Sequence, residues 1–305
     1  MQLSAWPSVA HPWPVLRDLS LHAESRGYHG VWAADHFMHN TAEGGGQVLE
    51  GFSVLAALAA VVPRVRLGSL VAGNLYRHPA VLANQAATID VISDGRFVLG
   101  LGAGWQENEH AQYGIDLLTT GARLRRFEEA CEVIRALRDE RVATFDGDHY
   151  RLRDAGMDPK PVGPMPLLIG GAGEKVMPGI VARQADEWNV WGTPELFARK
   201  NALITQACEA IGRDPATLRR STQALVVLGR DPVPEDGARA IGGSVERLRD
   251  TFGRYAAAGV DEFIAPSLVL GSAESDRGST DGRSQDPERS RELYDLLAED
   301  VLPGL

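Results

Sequence analysis

The chain has 305 residues, of which 44% are hydrophobic and 24% are charged, and its formal net charge is −10. These proportions are ordinary for a globular protein with a large core. The acidic balance, without a basic stripe interleaved with aromatic side chains, argues against a nucleic-acid-binding protein and against binding to anionic membranes. We therefore expect a soluble protein that acts on a small molecule.

The amino terminus and the two cysteines indicate a reducing compartment. The first residues, MQLSAWPSVA, lack a basic start followed by an apolar core, so we expect no signal peptide. The longest apolar stretch, 54–62, is too short to span a bilayer. Cys131 and Cys208 lie in helix-like stretches without metal-ligand spacing, and we interpret them as buried free thiols. The expected location is the cytoplasm.

Apolar, β-type segments alternate with amphipathic helical segments along the chain. The predicted strands cover residues 2–6, 30–34, 65–72, 96–102, 167–171, 187–191, 221–228 and 262–266. The predicted helices cover residues 15–25, 53–62, 79–92, 122–140, 174–184, 194–211, 244–257 and 287–302. This alternation predicts a parallel sheet, because parallel neighbours need a crossover connection.

The number of strand–helix units favours a closed barrel. Eight units in 305 residues fit a (β/α)8 TIM barrel better than an open doubly wound sheet. The first strand also ends at Ala5-Trp6-Pro7, without the glycine turn that binds phosphate in many open sheets. We expect one α/β domain over residues 1–305, with insertions after the fourth strand. Residues 141–165 predict a hairpin-like insertion, and residues 271–288, almost free of apolar side chains, predict a mobile loop after strand eight.

The second predicted strand ends in a charged side chain and an imidazole. In a TIM barrel the active site lies at the carboxyl ends of the strands, so Asp35 and His36 are candidates for orienting a ligand or moving a proton. The alternative is a structural pair that caps the next helix. His36 and His39 could also suggest a metal, but the other histidines do not fall at the positions that would complete its ligands. We expect no catalytic metal.

The fourth predicted strand has glycine at every second position near its end. Gly100, Gly102 and Gly104 leave one face of this strand without side chains. A flat ligand or another backbone is expected against that face. The spacing G-x-G-x-G does not match the dinucleotide-binding pattern G-x-G-x-x-G.

Glycine-containing turns follow strands five and six. The turns Gly170-Gly171-Ala172-Gly173 and Gly192-Thr193 each offer backbone N–H groups at the start of a helix, a geometry that favours a phosphate. Thr193 is also a predicted cap of the helix that begins at Pro194.

Three tryptophans fall at predicted strand ends on this same rim. They are Trp6, Trp105 and Trp191. Each alone could fill the core. Together they predict the walls of a pocket for a flat apolar ring.

These features together resemble the bacterial luciferase-like superfamily, and within it the chain is most similar to the branch that uses coenzyme F420, a 5-deazaflavin hydride carrier. The resemblance rests on GVWAADHF at 30–37, YRHPAVLANQAATIDVISDGR at 76–96, VLGLGAGWQENEHAQYG at 98–114 and PLLIGGAGEKVMPGIVARQADEWNVWG at 166–192. It implies an F420-dependent oxidoreductase that transfers a hydride between the cofactor and an organic substrate, and a homodimer.

The resemblance also implies roles for particular residues. Asp35 and His36 match a pair beside the reactive ring, with His36 facing substrate and cofactor. A bulge after strand three backs the ring, and a non-proline cis peptide is expected there, at Ser69–Leu70. The implied cofactor contacts are Ser69, Leu70, Ala72 and Asn108 at the ring, and Gly170, Gly171, Ala172, Gly173, Gly192 and Thr193 at the phosphate.

One departure from the family bears on the substrate. Sugar-phosphate dehydrogenases of the family carry a proton-donating glutamate directly after the third glycine, where this chain has Trp105; Glu107 and Glu109 are near but not at the matching position. We therefore expect a more apolar substrate.

Two other functions stay open. Because the two cofactors share ring and phosphate, an FMN-dependent monooxygenase that uses reduced flavin and oxygen is the alternative. A non-catalytic flavin-binding protein is a third possibility. The acidic tail of F420 would need cationic side chains on the rim, for which Arg77, Lys175 and Arg183 are candidates.

Overall fold

A computed structural model describes residues 1–40, 46–229, 232, 239–267, 269–270 and 286–303. Of the predicted loop 271–288, residues 271–285 lie outside the described ranges. Within those ranges no helix is long and apolar enough to cross a membrane.

The strands build a closed parallel barrel. In chain order the strands are β1 Gln2–Trp6, β2 Gly30–Ala33, β3 Arg66–Ser69, β4 Ala72–Gly73, β5 Phe97–Gly102, β6 Ala143–Asp146, β7 Arg151–Ala155, β8 Leu167–Gly170, β9 Glu187–Trp191, β10 Arg219–Gln223, β11 Leu225–Leu228, β12 Ala240–Gly243, β13 Glu262–Pro266 and β14 Val269–Leu270. The barrel order is β3-β2-β1-β13-β10-β9-β8-β5, and pairing of β3 with β5 closes the ring. The predicted TIM barrel is confirmed.

Helices cover the outside of the barrel and bury its outer face. They are α1 Trp13–Ser25, α2 Gly51–Val61, α3 Pro79–Ile92, α4 Glu107–Tyr113, α5 Thr120–Asp139, α6 Met177–Gln184, α7 Pro194–Ala210, α8 Val245–Ala257 and α9 Pro287–Leu296. Helix α5 shows why they form: Phe127, Cys131 and Ile134 recur at helical spacing and are buried, and the side chain of Thr119 accepts a hydrogen bond from the Ala122 N–H at the first turn.

The predicted strand over 65–72 is interrupted. A non-proline cis peptide joins Leu70 to Val71 and separates β3 from β4. The prediction of this bond at Ser69–Leu70 was wrong by one residue. The reason is that the Leu70 N–H still donates to the Ala33 carbonyl, at 2.8 Å, so the hydrogen-bond ladder with β2 continues through that amide.

Three other segments show what local patterns can and cannot predict. The predicted strand over 221–228 is divided between β10, which stays in the barrel, and β11, which leaves it to pair with β12 and β14 in a three-stranded sheet. Within residues 141–165, where a hairpin-like insertion is predicted, β6 and β7 pair antiparallel. Helix α4 was not predicted.

The bare face of β5 points toward the barrel axis and is filled by the chain after β3. Phe97, Leu99 and Leu101 belong to the outer core, whereas Val98 packs inside the barrel. A Cβ atom at Gly100 would overlap the Ser69 carbonyl oxygen, and one at Gly102 would lie 2.7 Å from Val71 Cγ2. The glycines therefore make room for a second backbone and for the Val71 side chain.

Buried ion pairs close the amino-terminal end of the barrel. The fully buried Glu262 carboxylate accepts from Arg66 at 3.0 Å and from Arg219 at 2.9 Å. Arg66 also pairs with Glu187. The Trp32 indole N–H also donates to Glu262, at 3.0 Å. Because the Trp32 ring belongs to the apolar interior of the barrel, it connects the polar cluster to that interior.

Candidate functional site

A histidine and a buried glutamate meet at the carboxyl end of the barrel. His36 follows β2, and Glu109 lies on α4. The Nδ1 atom of His36 is 2.8 Å from Oε1 of Glu109. The glutamate side chain is fully buried, whereas the imidazole is 27% exposed. The imidazole therefore has one nitrogen held by a carboxylate and a surface that a ligand can reach.

Glu109 is surrounded by hydrogen-bond donors. Besides His36, the backbone N–H of Phe37 donates to it at 2.9 Å, and the Tyr76 hydroxyl also donates to it. Burial alone would raise the pKa of Glu109, but these hydrogen bonds and the charge of His36 outweigh burial and hold that pKa below its usual range. Burial and the neighbouring carboxylate raise the pKa of the Tyr76 hydroxyl, which stays protonated. An ionised Glu109 is the stable state of this group.

This geometry assigns the imidazole nitrogens. Nδ1–H donates to the carboxylate, which fixes the tautomer and the ring orientation. Nε2 is then the atom that can accept a proton from a ligand, or return it after protonation. The sequence had named Glu109 without giving it a role. Its signal was slight: a glutamate among the polar residues after the glycine run.

Asp35 does not share in this proton chemistry. Its side chain is 1% exposed and accepts from the Arg77 guanidinium at 2.7 and 2.9 Å and from the Gly73 N–H at 3.0 Å. Arg77 also pairs with Glu50 and lies over the Phe52 ring. With these acceptor sites occupied, Asp35 ties β2 to β4, and the geometry does not support its predicted catalytic role. The alternative, a pair that caps the next helix, is also wrong for Asp35, because α2 is capped by Glu50.

The predicted tryptophans form two separate aromatic contacts. The Trp105 ring meets the His36 ring edge-on, with centroids 5.5 Å apart, and is 57% exposed. The Trp6 and Trp191 rings lie 5.6 Å apart at the ends of β1 and β9. Aromatic surface thus flanks the imidazole on one side and occupies two further strand ends. That these rings form the walls of one pocket stays a prediction.

Asn108 and its neighbour fasten α4 to the chain that follows β2. The Asn108 Nδ2 donates to the His39 carbonyl at 2.7 Å, and the Gln106 Nε2 donates to the Met38 carbonyl at 3.0 Å. These bonds hold α4 where Glu109 can reach His36. The predicted contact of Asn108 with a cofactor stays a prediction.

The bulge after β3 presents a different residue from those predicted. The Ser69 hydroxyl is bonded to both backbone groups of Gly100, and Ala72 packs into the outer core. Leu70 points into the apolar barrel interior. Val71 is half-buried and lies against glycines of both β5 and β8. A Cβ atom at Gly170 in β8 would also meet the Val71 side chain, at 2.9 Å. The side chains of Ser69 and Ala72 are thus engaged within the protein, and their predicted contacts with a cofactor stay predictions.

The two predicted phosphate turns differ in what they offer. The Gly171 N–H is used by the Asn189 carbonyl at 3.1 Å, and the Gly192 N–H by the Gln223 carbonyl at 3.1 Å. In contrast, the consecutive N–H groups of residues 172–176 find no acceptor among the described residues, and this stretch is exposed. Thr193 is confirmed as the cap of α7. The amides that can bind an anion therefore lie in the loop over 172–176.

Cations surround the 172–176 loop, but not all of those predicted. Arg77 is committed to Asp35 and Glu50, and Arg183 pairs with Glu128 on the outer helix α5. Lys175 is exposed on the loop itself. Lys200 donates to the Ala172 carbonyl at 2.6 Å and to Glu174 at 2.7 Å, and therefore braces the loop from α7.

Two other features take no part in this site. Cys131 and Cys208 are confirmed as buried free thiols. A groove of about 590 Å³ opens at the amino-terminal end of the barrel beside Leu3, Tyr28 and His29, and it contains none of the predicted site residues. Across the described part of the chain, no three histidine, cysteine, aspartate or glutamate side chains converge as metal ligands.

Comparison with known proteins establishes the family. Residues 1–262 match the family described as luciferase-like monooxygenase, and the chain belongs to it. The pyrimidine monooxygenase RutA from Escherichia coli (strain K12) is 37% identical over 177 residues, which are 54% of this chain and 44% of RutA. The match thus spans less than half of that relative.

Solved structures agree with the barrel. An F420-dependent secondary alcohol dehydrogenase in complex with an F420-acetone adduct superposes with a TM-score of 0.81 at 18% identity, covering 99% of each chain. The monooxygenase RslO1 from Streptomyces bottropensis superposes with a TM-score of 0.78 at 21% identity, again covering 99% of each chain. At these identities the likeness shows the fold alone.

Proposed function

We propose that this protein is an F420-dependent oxidoreductase that transfers a hydride between the deazaflavin and an organic substrate with a carbonyl or alcohol group. The observation that carries the proposal is the contact between His36 and Glu109, 2.8 Å long, at the carboxyl end of the barrel. Hydride addition to a carbonyl carbon requires a proton at its oxygen, and hydride removal from an alcohol requires a base. A carboxylate-oriented imidazole supplies both.

The residues present suit a ring with a phosphate-bearing side chain. The unpartnered amides over 172–176 can hold the phosphate, and the tryptophans at 6, 105 and 191 offer aromatic surface for the ring. Asn74, directly after β4, is 1% exposed, and neither polar atom of its side chain has a partner among the described residues. Buried unsatisfied amides of this kind suit a site that a bound group completes.

The cofactor, when bound, supplies the hydride chemistry. His36 orients the substrate oxygen and, in the reducing direction, gives it a proton from Nε2. In the oxidising direction Nε2 takes that proton. Glu109 stabilises the imidazolium that exists between these events, because its pKa is held low and its charge persists. Val71 lies against Gly102 of β5 and Gly170 of β8, and its side chain covers these glycines.

Charge near the phosphate loop favours F420 over FMN. Lys175 is exposed on the loop, and Arg199 on α7 is 64% exposed, while Glu174 is the acid that faces them. Lys200 neutralises Glu174 and lowers its pKa. Both cations are exposed, Arg199 in an ion pair with Glu174 at 3.5 Å, so an acidic tail that continues beyond the phosphate would contact Lys175 and compete with Glu174 for Arg199. FMN ends at its phosphate and has no use for them.

A luciferase-like monooxygenase that uses reduced FMN and oxygen is the second candidate. It is favoured by the 37% identity to a pyrimidine monooxygenase over 177 residues. The same ring surface and phosphate loop would serve it. The difference lies in whether oxygen is consumed.

Two assays in parallel separate these functions. In the first, the purified protein is mixed anaerobically with reduced F420 and a panel of ketones, and oxidation of the cofactor is followed by its absorbance. In the second, reduced FMN is supplied in air with a panel of unsaturated and heterocyclic compounds, and substrate-dependent oxygen uptake is recorded. Ketone-dependent oxidation of reduced F420 supports the proposal. Substrate-dependent oxygen uptake with FMN alone would replace it by the monooxygenase.

A further inference from the structure

Two buried amide side chains face the barrel axis from neighbouring strands. Asn189 lies in β9 and Gln223 ends β10, and they are 3% and 2% exposed. Their neighbours Trp188 and Val190 belong to the outer core, so the alternating side chains of β9 point inward. The Nδ2 of Asn189 donates to Gln223 Oε1 at 2.7 Å. The two amides thus form one unit inside the barrel.

The hydrogen bonds around this pair fix which atoms remain. The Ser221 hydroxyl donates to the Trp188 carbonyl and therefore accepts from Asn189 Nδ2, at 2.9 Å. Both hydrogens of Asn189 Nδ2 are used in this way. Asn189 Oδ1 and Gln223 Nε2 are left, and neither has a hydrogen-bond partner among the described residues. The fully buried side-chain atoms without a partner do not include these two, so both keep some access to solvent, and an acceptor and a donor on neighbouring strands are open to a ligand.

The surroundings define the shape of that ligand. Gln223 is in register with Trp191, whose ring lies 5.6 Å from that of Trp6. Beneath the amides the barrel interior is apolar, built around Trp32 and its neighbours. In the eight-stranded ring β9 lies opposite β2, the strand that leads into His36. A flat ligand bound between the two sides would contact amides at one edge and the imidazole at the other.

We propose that Asn189 and Gln223 form a subsite for a lactam edge, that is, a carbonyl adjacent to an N–H in a ring. Gln223 Nε2 donates to the carbonyl, and Asn189 Oδ1 accepts from the N–H. Two molecules can carry this edge: a substrate with a lactam or imide group, or the pyrimidine part of the flavin-type ring itself. The inference rests on the proposed function in placing a ligand at this end of the barrel.

The test compares two lactams that differ only in the group on the ring nitrogen, a hydrogen in one and a methyl group in the other. Binding of 2-piperidone and of N-methyl-2-piperidone, which lacks the N–H, is followed by tryptophan fluorescence, and F420 and FMN are titrated separately. The test variant is Gln223→Met, which removes the donor and keeps the side chain long and flexible. The matched control is Thr222→Val on the same strand, since the Thr222 hydroxyl bonds to the Val190 carbonyl on the outer side.

Either source of the lactam edge gives a distinct result. If it belongs to the substrate, the wild type prefers 2-piperidone about tenfold, Gln223→Met loses the preference, and cofactor affinity is unchanged. If the lactam edge belongs to the cofactor, Gln223→Met weakens the binding of F420 or FMN about tenfold. Thr222→Val changes neither. A folded Gln223→Met that alters neither binding reaction overturns the proposal.

Folding and the broader function are controlled separately. Should Gln223→Met not fold, Gln223→Glu keeps the shape, replaces the donor by an acceptor and carries the same expectations. Should the wild type bind neither F420 nor FMN, the proposed function fails. The lactam comparison is read on the cofactor-free protein, so it would still decide the subsite.

Discussion

The Nδ1 atom of His36 lies 2.8 Å from Oε1 of Glu109, although 73 positions separate the two residues in the chain. One is placed by the end of β2 and the other by α4, which Asn108 fastens to the chain after β2. The contact couples a half-buried imidazole to a fully buried carboxylate whose charge is maintained by donors on several sides. The following predictions start from this pair.

Removing the charge of Glu109 should slow turnover. Glu109→Gln keeps the shape but no longer stabilises a protonated His36, and we expect kcat to fall roughly 10- to 100-fold, the equivalent of about 1.5–3 kcal/mol for a hydrogen bond to a charged group. The measurement is steady-state kinetics with reduced F420 and a ketone. Glu107→Gln, exposed on the same helix, is the control and should behave as wild type. Equal kinetics for the two variants would remove Glu109 from the mechanism.

Removing the imidazole should separate chemistry from binding. In His36→Ala we expect kcat to fall by about 10² to 10⁴, the usual contribution of general acid–base catalysis, with the Kd for cofactor changed by less than about threefold. Turnover and fluorescence titration on the same preparation give both numbers. Unchanged turnover would contradict the assignment of His36, and a parallel loss of affinity would make it a binding residue.

Asp35 should matter for stability. Asp35→Asn leaves the half-buried Arg77 without its doubly bonded, buried partner, and we expect the free energy of unfolding to drop by about 3 kcal/mol. Urea denaturation measures this value. Asp18→Asn breaks an exposed pair with Arg17 and should cost less than about 1 kcal/mol. A stable Asp35→Asn protein with lost turnover would instead restore the catalytic role.

The glycines of β5 should show coupling with Val71. Gly102→Ala would place a Cβ 2.7 Å from Val71 Cγ2, so we expect a loss of about 1–3 kcal/mol in stability from overpacking. Val71→Ala in the same chain should recover part of that loss. The new methyl group of Gly100→Ala would overlap the Ser69 carbonyl oxygen, a backbone contact that Val71→Ala cannot relieve. Two double-mutant cycles measure the coupling of Val71 with Gly102 and with Gly100. Equal coupling energies would contradict the packing described for these residues.

The buried ion pairs at the amino-terminal end should make stability depend on pH. Burial alone would raise the pKa of Glu262, but Arg66, the Ser4 hydroxyl and Arg219 outweigh it and hold the pKa below the usual range. A lowered folded-state pKa gives stabilisation that is complete above the unfolded pKa of about 4.3 and is lost as the pH falls through the folded value. Glu262→Gln should therefore be less stable than wild type by about 3–5 kcal/mol near neutral pH.

The difference in stability between the wild type and Glu262→Gln should narrow as the pH falls below about 4.3. Glu187 in the same cluster provides the opposite sign, because burial raises its pKa. Its ionised form is the costly one, so its contribution to stability declines as the pH rises through the raised pKa. Urea unfolding of the wild type, Glu262→Gln and Glu187→Gln from acidic to neutral pH shows how the free energy of unfolding depends on pH through each glutamate. A pH-independent gap for Glu262→Gln would refute the assigned ionisation.

Much of the barrel could be predicted because its signals are local. The strands at residues 2–6, 187–191 and 262–266 were predicted with the bounds that the structure shows, since each is a short apolar run between turn or helix signals. The end of β10 could not be found this way. The run continues with equal hydrophobicity through Leu225–Leu228, and only pairing with β12, a non-local contact, takes it out of the barrel.

Only part of the candidate site could be predicted, again because the sequence shows local signals and not contacts between distant residues. His36 and Trp6 could be placed at the carboxyl ends of strands because strand ends can be located in sequence, while their roles stay predictions. Asp35 was assigned chemistry because its partner Arg77 lies 42 positions away, and no local pattern shows that pair. Glu109 required the orientation of α4, a helix of seven residues whose short apolar content gives no clear period. The composition of a loop could be read, but not its contacts.

The most direct test of the proposed cofactor is a titration of the cofactor-free protein with F420 and with FMN, followed by quenching of tryptophan fluorescence. Trp6, Trp105 and Trp191 lie at the strand ends where either ring would bind. We expect tighter binding of F420, with the preference reduced in a Lys175→Gln, Arg199→Gln double variant. Tighter binding of FMN would contradict F420 dependence and favour the monooxygenase, and quenching by neither would contradict a flavin-type cofactor at this site.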